Sequence, residues 1–183
     1  EAREDERSLV PHCRLLAPAV LQWGFGAELA ARLSALQPGA TLAFVTLFED
    51  AALAALARGE GDLALVTGVA VDSGLPAGLE ARRLGEIHMQ LAAAPSHPLA
   101  GRGEVSAAEL LQHDFVCPQR SMFCGLERGS RADGWRDDRL PRRIRFWLDE
   151  LQLLTRLVHS GQALAYLPDF ALAPATGLQR LTV

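Results

Sequence analysis

The residues with the widest chemical range in this chain are three cysteines, Cys13, Cys117 and Cys124, and five histidines, His12, His88, His97, His113 and His159. Their spacing argues against most of the chemistry such residues perform. There is no C-x-x-C, and the cysteine spacings match no zinc framework. An odd number of thiols suits a reduced compartment better than a disulfide scaffold. The histidines lack H-x-x-x-H spacing, so each reads as a surface or turn residue and not as a metal ligand. Cys117 precedes Pro118 at the end of an apolar run. Its reading as a small buried residue stands against its reading as a nucleophile. Gly24-Phe25-Gly26 opens like a dinucleotide fingerprint, but the third glycine would fall at Leu29. No G-x-S-x-G occurs. All 18 basic residues are arginine, which removes Schiff-base and P-loop lysine chemistry. Arg139, Arg142, Arg143 and Arg145 adjoin Asp137 and Asp138, and read as a solvated face and not a phosphate track. No catalytic residue, no metal site and no cofactor is expected.

The elements that carry these residues follow from apolar period and punctuation. Cys13 to Ala17 is a strand ended by Pro18. Leu29, Leu33 and Leu36 at i, i+4, i+7 make a helix that Gln37-Pro38-Gly39 stops. Thr41 to Phe48 reads as a buried strand. Glu49 and Asp50 start a helix where negative charge suits the dipole. Its stripe is Leu53, Leu56 and Ala57, and Gly59 closes it. Asp62 to Val66 is a third strand, completing β-α-β-α-β. Residues 68–80 read as a loop. Further strands are Ile87 to Ala93, Asp114 to Cys117, Ile144 to Trp147 and Ala163 to Leu167. Ser106-Ala-Ala-Glu109 predicts a capping box and a short helix ending near His113. Residues 119–142 predict a loop with one polar helix. Asp149 is expected to cap a helix whose stripe is Leu151, Leu154, Leu157 and Val158, ended by Gly161. Phe44–Leu65 and Ile144–Tyr166 share one order: strand, acidic helix start, apolar stripe, glycine, strand. Two similar α/β halves explain that echo.

With 183 residues, 49% of them hydrophobic and 22% charged, the chain is long enough for one large domain or two small lobes. Its formal charge of −4 makes it a poor nonspecific partner for nucleic acid by itself. No apolar run reaches membrane-spanning length. The charged start, Glu1 to Arg7, is the opposite of a signal peptide, and with no initiator Met it reads as the linker end of a longer protein.

Three segments resemble the LysR-type transcriptional regulators. Leu56-Ala-Arg-Gly-Glu-Gly-Asp62-Leu-Ala-Leu65 is similar to their L-x-x-G-E-x-D-L-A-I stretch. Ala94-Pro-Ser-His97-Pro98-Leu99-Ala100 is similar to their H-P-L-A turn. Leu157-Val-His-Ser-Gly161-Gln-Ala-Leu-Ala-Tyr-Leu167-Pro168 is similar to L-V-x-x-G-x-G-I-x-L-L-P, with Ala163 in place of the second glycine. The resemblance runs in order from about Cys13 to Leu181. It implies an effector-binding domain of the two-lobed, type 2 periplasmic-binding-protein-like α/β fold, each lobe a mostly parallel sheet flanked by helices. Residues 1–9 would be the end of the linker, 10–82 with 166–183 lobe one, and 83–165 lobe two. It further implies a cytoplasmic homodimer or tetramer that touches DNA only through an N-terminal domain absent here. A solute-binding protein of the same fold is the alternative, and a small α/β enzyme the third.

In such a fold the ligand is expected between the lobes, where strand ends open onto helix starts. From lobe one the candidates are Pro18, Ala19, Val20 and Gln22, then Thr46 and Phe48, then Thr67 and Gly68. From lobe two they are Gln119, Arg120, Ser121 and Met122, with Trp147 and Leu148. Backbone N–H groups at helix starts favour a carboxylate, Arg120 offers it a bidentate partner, and Phe48, Met122 and Trp147 offer apolar walls. A small organic acid is the expected ligand class.

Overall fold

The computed structural model describes residues 11–183, so the expected linker, 1–9, lies outside the described residues. The chain divides into a unit ending at Ala81 and a unit Arg82–Val183.

In the first unit, β1 (His12–Ala17) lies between β2 (Thr41–Thr46) and β3 (Leu63–Ala64), all parallel. Leu15, Leu16 and Ala17 are buried, the uninterrupted apolar run of a strand covered on both faces. The third ladder is shorter than the apolar run suggests, two residues against an expected five. Gly61 explains the tight approach there: a Cβ on it would stand 2.7 Å from Leu16 Cγ. The connecting helices are α1 (Ala19–Leu36) and α2 (Glu49–Ala57). Gly59, at φ +76°, follows α2 as the sequence expects. Ala52, Leu53 and Ala55 are the buried apolar side chains of α2, while Leu56 is half-buried and Ala57 exposed. The expected stripe is therefore rotated toward the N-terminus. Gly68–Ser73, expected as loop, forms a short helix, α3.

α1 departs further from its expected stripe. It buries Val20, Leu21 and Gly26, leaves Leu29 and Leu33 half-buried and exposes Leu36 at 80%. The six-residue strands span about 20 Å and the 18-residue helix about 27 Å, so the strands are too short to cover all of α1.

The second unit mixes strand directions. β4 (Met89–Ala93) is flanked by β7 (Ala165–Pro168) and β8 (Gln179–Leu181), both antiparallel to it. β5 (Asp114–Cys117) and β6 (Arg143–Trp147) are parallel. Leu91 pairs with Tyr166 on one side and with Leu181 on the other. The stretch 166–183 therefore belongs to the second unit, which corrects its expected place in lobe one. Chain order cannot reveal this, because a central strand such as β4 accepts partners on both edges whatever their distance in sequence.

Ser106 and Glu109 make the expected capping box at the start of α4 (Ala107–Leu110), each side chain accepting the other's backbone N–H at 3.3 Å. That helix stops at Leu110, before His113. α5 (Leu151–His159) buries Leu154 and Val158 and half-buries Leu151 and Leu157. Its N-cap is Glu150, whose carboxylate accepts the N–H groups of Gln152 and Leu153. Asp149, the expected cap, acts elsewhere. Ala163 sits in the core with Val116, Leu154 and Val158. Among the described residues, no helix is long and apolar enough to cross a membrane.

The turn at 94–100 holds a buried titratable group. His97 is 6% exposed, against the surface position expected of it. Its Nδ1 accepts the N–H of Leu99 at 3.2 Å, and its ring meets that of His113 edge-on at 4.7 Å. Burial first, and His113 second, hold its pKa below the ordinary 6.5. The unfolded chain therefore takes up this proton more readily than the folded one. The stabilisation is complete above the ordinary pKa and declines as pH falls below it. Urea midpoints between neutral pH and pH ~5 should fall, and His97→Gln should flatten the slope; an unchanged slope would remove His97 from the account.

Candidate functional site

The strand ends of the first unit are joined by a side chain of α1. Gln22 Nε2 donates to Ala17 O at 2.9 Å and to Thr46 Oγ1 at 3.1 Å. The ends of β1 and β2 are thus held beside the first turn of α1. Pro18 is the N-cap of that helix and has no N–H to satisfy. Ala19 is exposed, whereas Val20 turns its side chain into the core. Phe48, 45% exposed, caps α2. Thr67 stands differently: its N–H donates to Glu49 Oε1 at 2.6 Å. Glu49 is 3% exposed, so the acidic residue read as a helix-start signal also anchors the end of β3. Gly68, exposed, opens α3.

The second unit repeats this device. Asp149 Oδ1 accepts the N–H of Gln119 at 2.8 Å and of Arg120 at 2.9 Å. A carboxylate from the segment before α5 thus fills the two backbone donors at the end of β5, where a ligand anion was expected. From there the chain makes a tight hairpin. Ser121 N donates to Leu126 O, Arg128 N donates to Gln119 O, and Ser121 Oγ accepts from Phe123 N and Cys124 N. Ser121 is buried, while Met122 and Leu148 pack against the core of Leu154, Val158 and Leu167. None of these three is among the residues that line the cavity at this end of the unit. Gln119 and Trp147 line a cavity of about 360 Å³ with Glu127 and Gly129. Arg120 is exposed and is not among the lining residues.

The loop after the hairpin is held by a buried charge that sequence reasoning placed on the surface. Arg142 lies inside the second unit with a side chain 0% exposed. It donates to Asp133 Oδ2 at 2.7 Å, Asp137 Oδ2 at 2.9 Å and Ser130 O at 2.7 Å. Its guanidinium centre lies 5.1 Å from the Trp135 ring and 5.4 Å from the Phe115 ring. Burial acts to lower its pKa, but the hydrogen bonds to Asp137 and Asp133 outweigh this and hold it above the ordinary value. The segment 119–142 consequently contains no α-helix, only a 3₁₀ turn at Gly129–Arg131. A loop wrapped around one arginine needs no amphipathic period. Arg139, Arg143 and Arg145 are exposed, as expected, and the last two pair with Asp114. Asp137 and Asp138 look alike in sequence, yet Asp138 takes the exposed Arg136 and Asp137 the buried Arg142. The pattern S-x-x-D-x-x-x-D-x-x-x-x-R over residues 130–142 carried no signal to separate them.

Cys117 is enclosed beside that cluster, 3.6 Å from Asp133 Oδ2. Burial, then the Asp133 charge, pushes its pKa up to about 12. A thiol so disfavoured as thiolate is a poor nucleophile. The described cysteines are all free, and the described residues include no group of three or more His, Cys, Asp or Glu able to hold a metal ion.

The model of the family described as LysR substrate binding domain matches residues 7–183. No curated protein matches the chain. Among solved structures, one from Vibrio parahaemolyticus, described as a transcriptional regulator, is 17% identical, with a TM-score of 0.73 over 96% of this chain and 80% of its own. The regulatory domain of CcmR from Synechocystis PCC6803, in complex with 2-PG, is 16% identical, with a TM-score of 0.66 over 93% of this chain and 80% of its own. The effector-binding domain of QuiR, in complex with shikimate, is 13% identical, with a TM-score of 0.63 over 94% of this chain and 80% of its own. At these identities the likeness speaks for the fold, and the match across residues 7–183 supplies the family: the chain belongs to the LysR substrate-binding domains.

Proposed function

We propose that this chain is the effector-binding domain of a LysR-type transcriptional regulator. It binds a small organic acid, performs no catalysis and acts in the cytoplasm, controlling DNA binding by an N-terminal domain of the full-length protein. The observation that carries the ligand assignment is Gln22, which ties Ala17 and Thr46 together at the start of α1. Backbone N–H groups there, at Ala19 and Val20, lie where a helix dipole favours an anion. The equivalent donors at Gln119 and Arg120 serve Asp149. The carboxylate of the effector is therefore assigned to the first unit, with Thr46, Phe48 and Gly68 around it.

Thermal-shift screening of small organic acids should yield a stabilising ligand, and Gln22→Ala should weaken its binding by about 0.5–1.5 kcal/mol, the range for an ordinary hydrogen bond, because the Gln22 amide already serves Ala17 O and Thr46 Oγ1 and acts on the ligand through the strand ends it holds. An acid that stabilises both forms equally would exclude this position.

We further propose self-association through α1. Its uncovered half, with Leu36 exposed, borders a depression of about 270 Å³ lined by Gln22, Gly26, Ala27, Ala30 and Phe44. Small side chains there allow close approach of a second copy. Sedimentation at micromolar concentration should show a dimer that Ala30→Glu dissociates. A wild-type monomer would count against it.

A further inference from the structure

We infer that the N–H groups of Gln119 and Arg120 form a second carboxylate site, and that Asp149 is its displaceable internal occupant. The inference rests on the effector-binding reading above and adds to it a weaker anion site, in the second unit, that the chain itself competes for. Asp149 Oδ1 accepts both N–H groups, at 2.8 and 2.9 Å. Two successive backbone donors converging on one oxygen form a nest for an anion. The side chain already seated there is itself a carboxylate, so the nest fits that group.

Exposure makes this occupant exchangeable. Asp149, Gln119 and Arg120 are all exposed, and Asp149 holds the nest through Oδ1 alone. The comparable clamp of the first unit is closed: Glu49, on the N–H of Thr67, is 3% exposed and leaves a ligand no access. Gln119 also lines the cavity of about 360 Å³, so the nest borders open space. Trp147 lines the same cavity, is 43% exposed and offers a flat apolar surface. The surrounding charge suits an anion. Arg120 and Glu127 are bridged across the hairpin, and Arg128 adjoins Glu127. With Asp149 displaced, two arginines stand against one carboxylate. Asp149 directly precedes Glu150, the N-cap of α5, so an anion that displaces it also frees the segment that enters this helix.

Benzoate, a planar monocarboxylate, is the probe. It is titrated into the full 183-residue chain and followed through amide NMR shifts. Wild type should bind it weakly at Gln119 and Arg120, because apparent affinity falls with the fraction of molecules whose site is open. Asp149→Ala removes the competitor and should bind benzoate about tenfold or more tightly, with the Gln119 and Arg120 amides moving most. Asp149→Asn keeps an oxygen for both N–H groups without the charge, and should fall between the two. In wild type, benzoate should also move the amides of Gln152 and Leu153, which bond Glu150 beside the displaced residue. In Asp149→Ala, where nothing is left to displace, those two should stay still. The inference is overturned if Asp149→Ala binds benzoate no more tightly than wild type, or if its gain arises without shifts at Gln119 and Arg120. Gln22→Ala should leave the titration at these two amides unchanged. An acid that binds at Ala19 and Val20, with no gain in Asp149→Ala, would retain the first-unit reading and sink this one. A gain in Asp149→Ala with no acid found for the first unit would do the reverse.

Discussion

Replacing Arg142 by alanine is expected to destabilise the second unit by about 3–5 kcal/mol, the cost of removing one partner from a buried ion pair. Two carboxylates, Asp133 and Asp137, would lose their shared cation, and Asp133 is itself only 4% exposed. Ser130 O would lose its donor as well. Arg142→Lys should recover little, because one ammonium cannot reproduce a planar fork that serves two carboxylates and a carbonyl. Combining Arg142→Ala with Asp133→Asn should be less harmful than the sum of the two single changes, since the stranded charge is then removed. Urea denaturation followed by tryptophan fluorescence measures all four variants. A loss under 1 kcal/mol for Arg142→Ala would mean that the guanidinium is solvated, as its neighbours are.

A second large loss, about 3–5 kcal/mol, is expected for Phe115→Ala, from the lost burial and the cavity left behind. Phe115 is 0% exposed and sits among Leu91, Leu110, Leu164 and Trp135. It joins the apolar core to the charged cluster, because its ring also faces the Arg142 guanidinium. The double variant with Arg142→Ala should therefore fall short of additivity. Calorimetric unfolding checks this, and strict additivity would separate the core from the cluster.

The parts of the site that could be read from the sequence were those with local causes. Pro18 ending a strand, the capping box of Ser106 and Glu109, and the Gly59 helix stop each depend on neighbours within a few residues. The strand ends nominated as ligand positions follow from the same punctuation. What they do with their backbone donors does not. Nothing near Asp149 in sequence distinguishes a helix cap from a clamp on Gln119 and Arg120, 30 and 29 residues earlier. Nor does Glu49 announce Thr67, 18 residues later. In both cases the carboxylate reaches the end of another strand, the paired one for Asp149 and the one beyond β1 for Glu49, and the order of strands is a property of the sheet.

The sequence by itself determined the α/β class, the order of most strands and helices, and the family resemblance that the match over residues 7–183 confirms. Apolar period, capping residues and glycine stops act over a turn or two of chain, so they survive in a one-dimensional reading. Tertiary structure alone decided three things. It assigned 166–183 to the second unit, because β4 has two edges to fill. It chose Arg142 from four similar arginines for burial, because only that one meets Asp133, Asp137 and two aromatic rings at once. It also decided which helix starts keep their backbone donors open to a ligand. That outcome depends on whether a carboxylate from elsewhere in the fold arrives first, and the distances that settle it exist only once the strands are side by side.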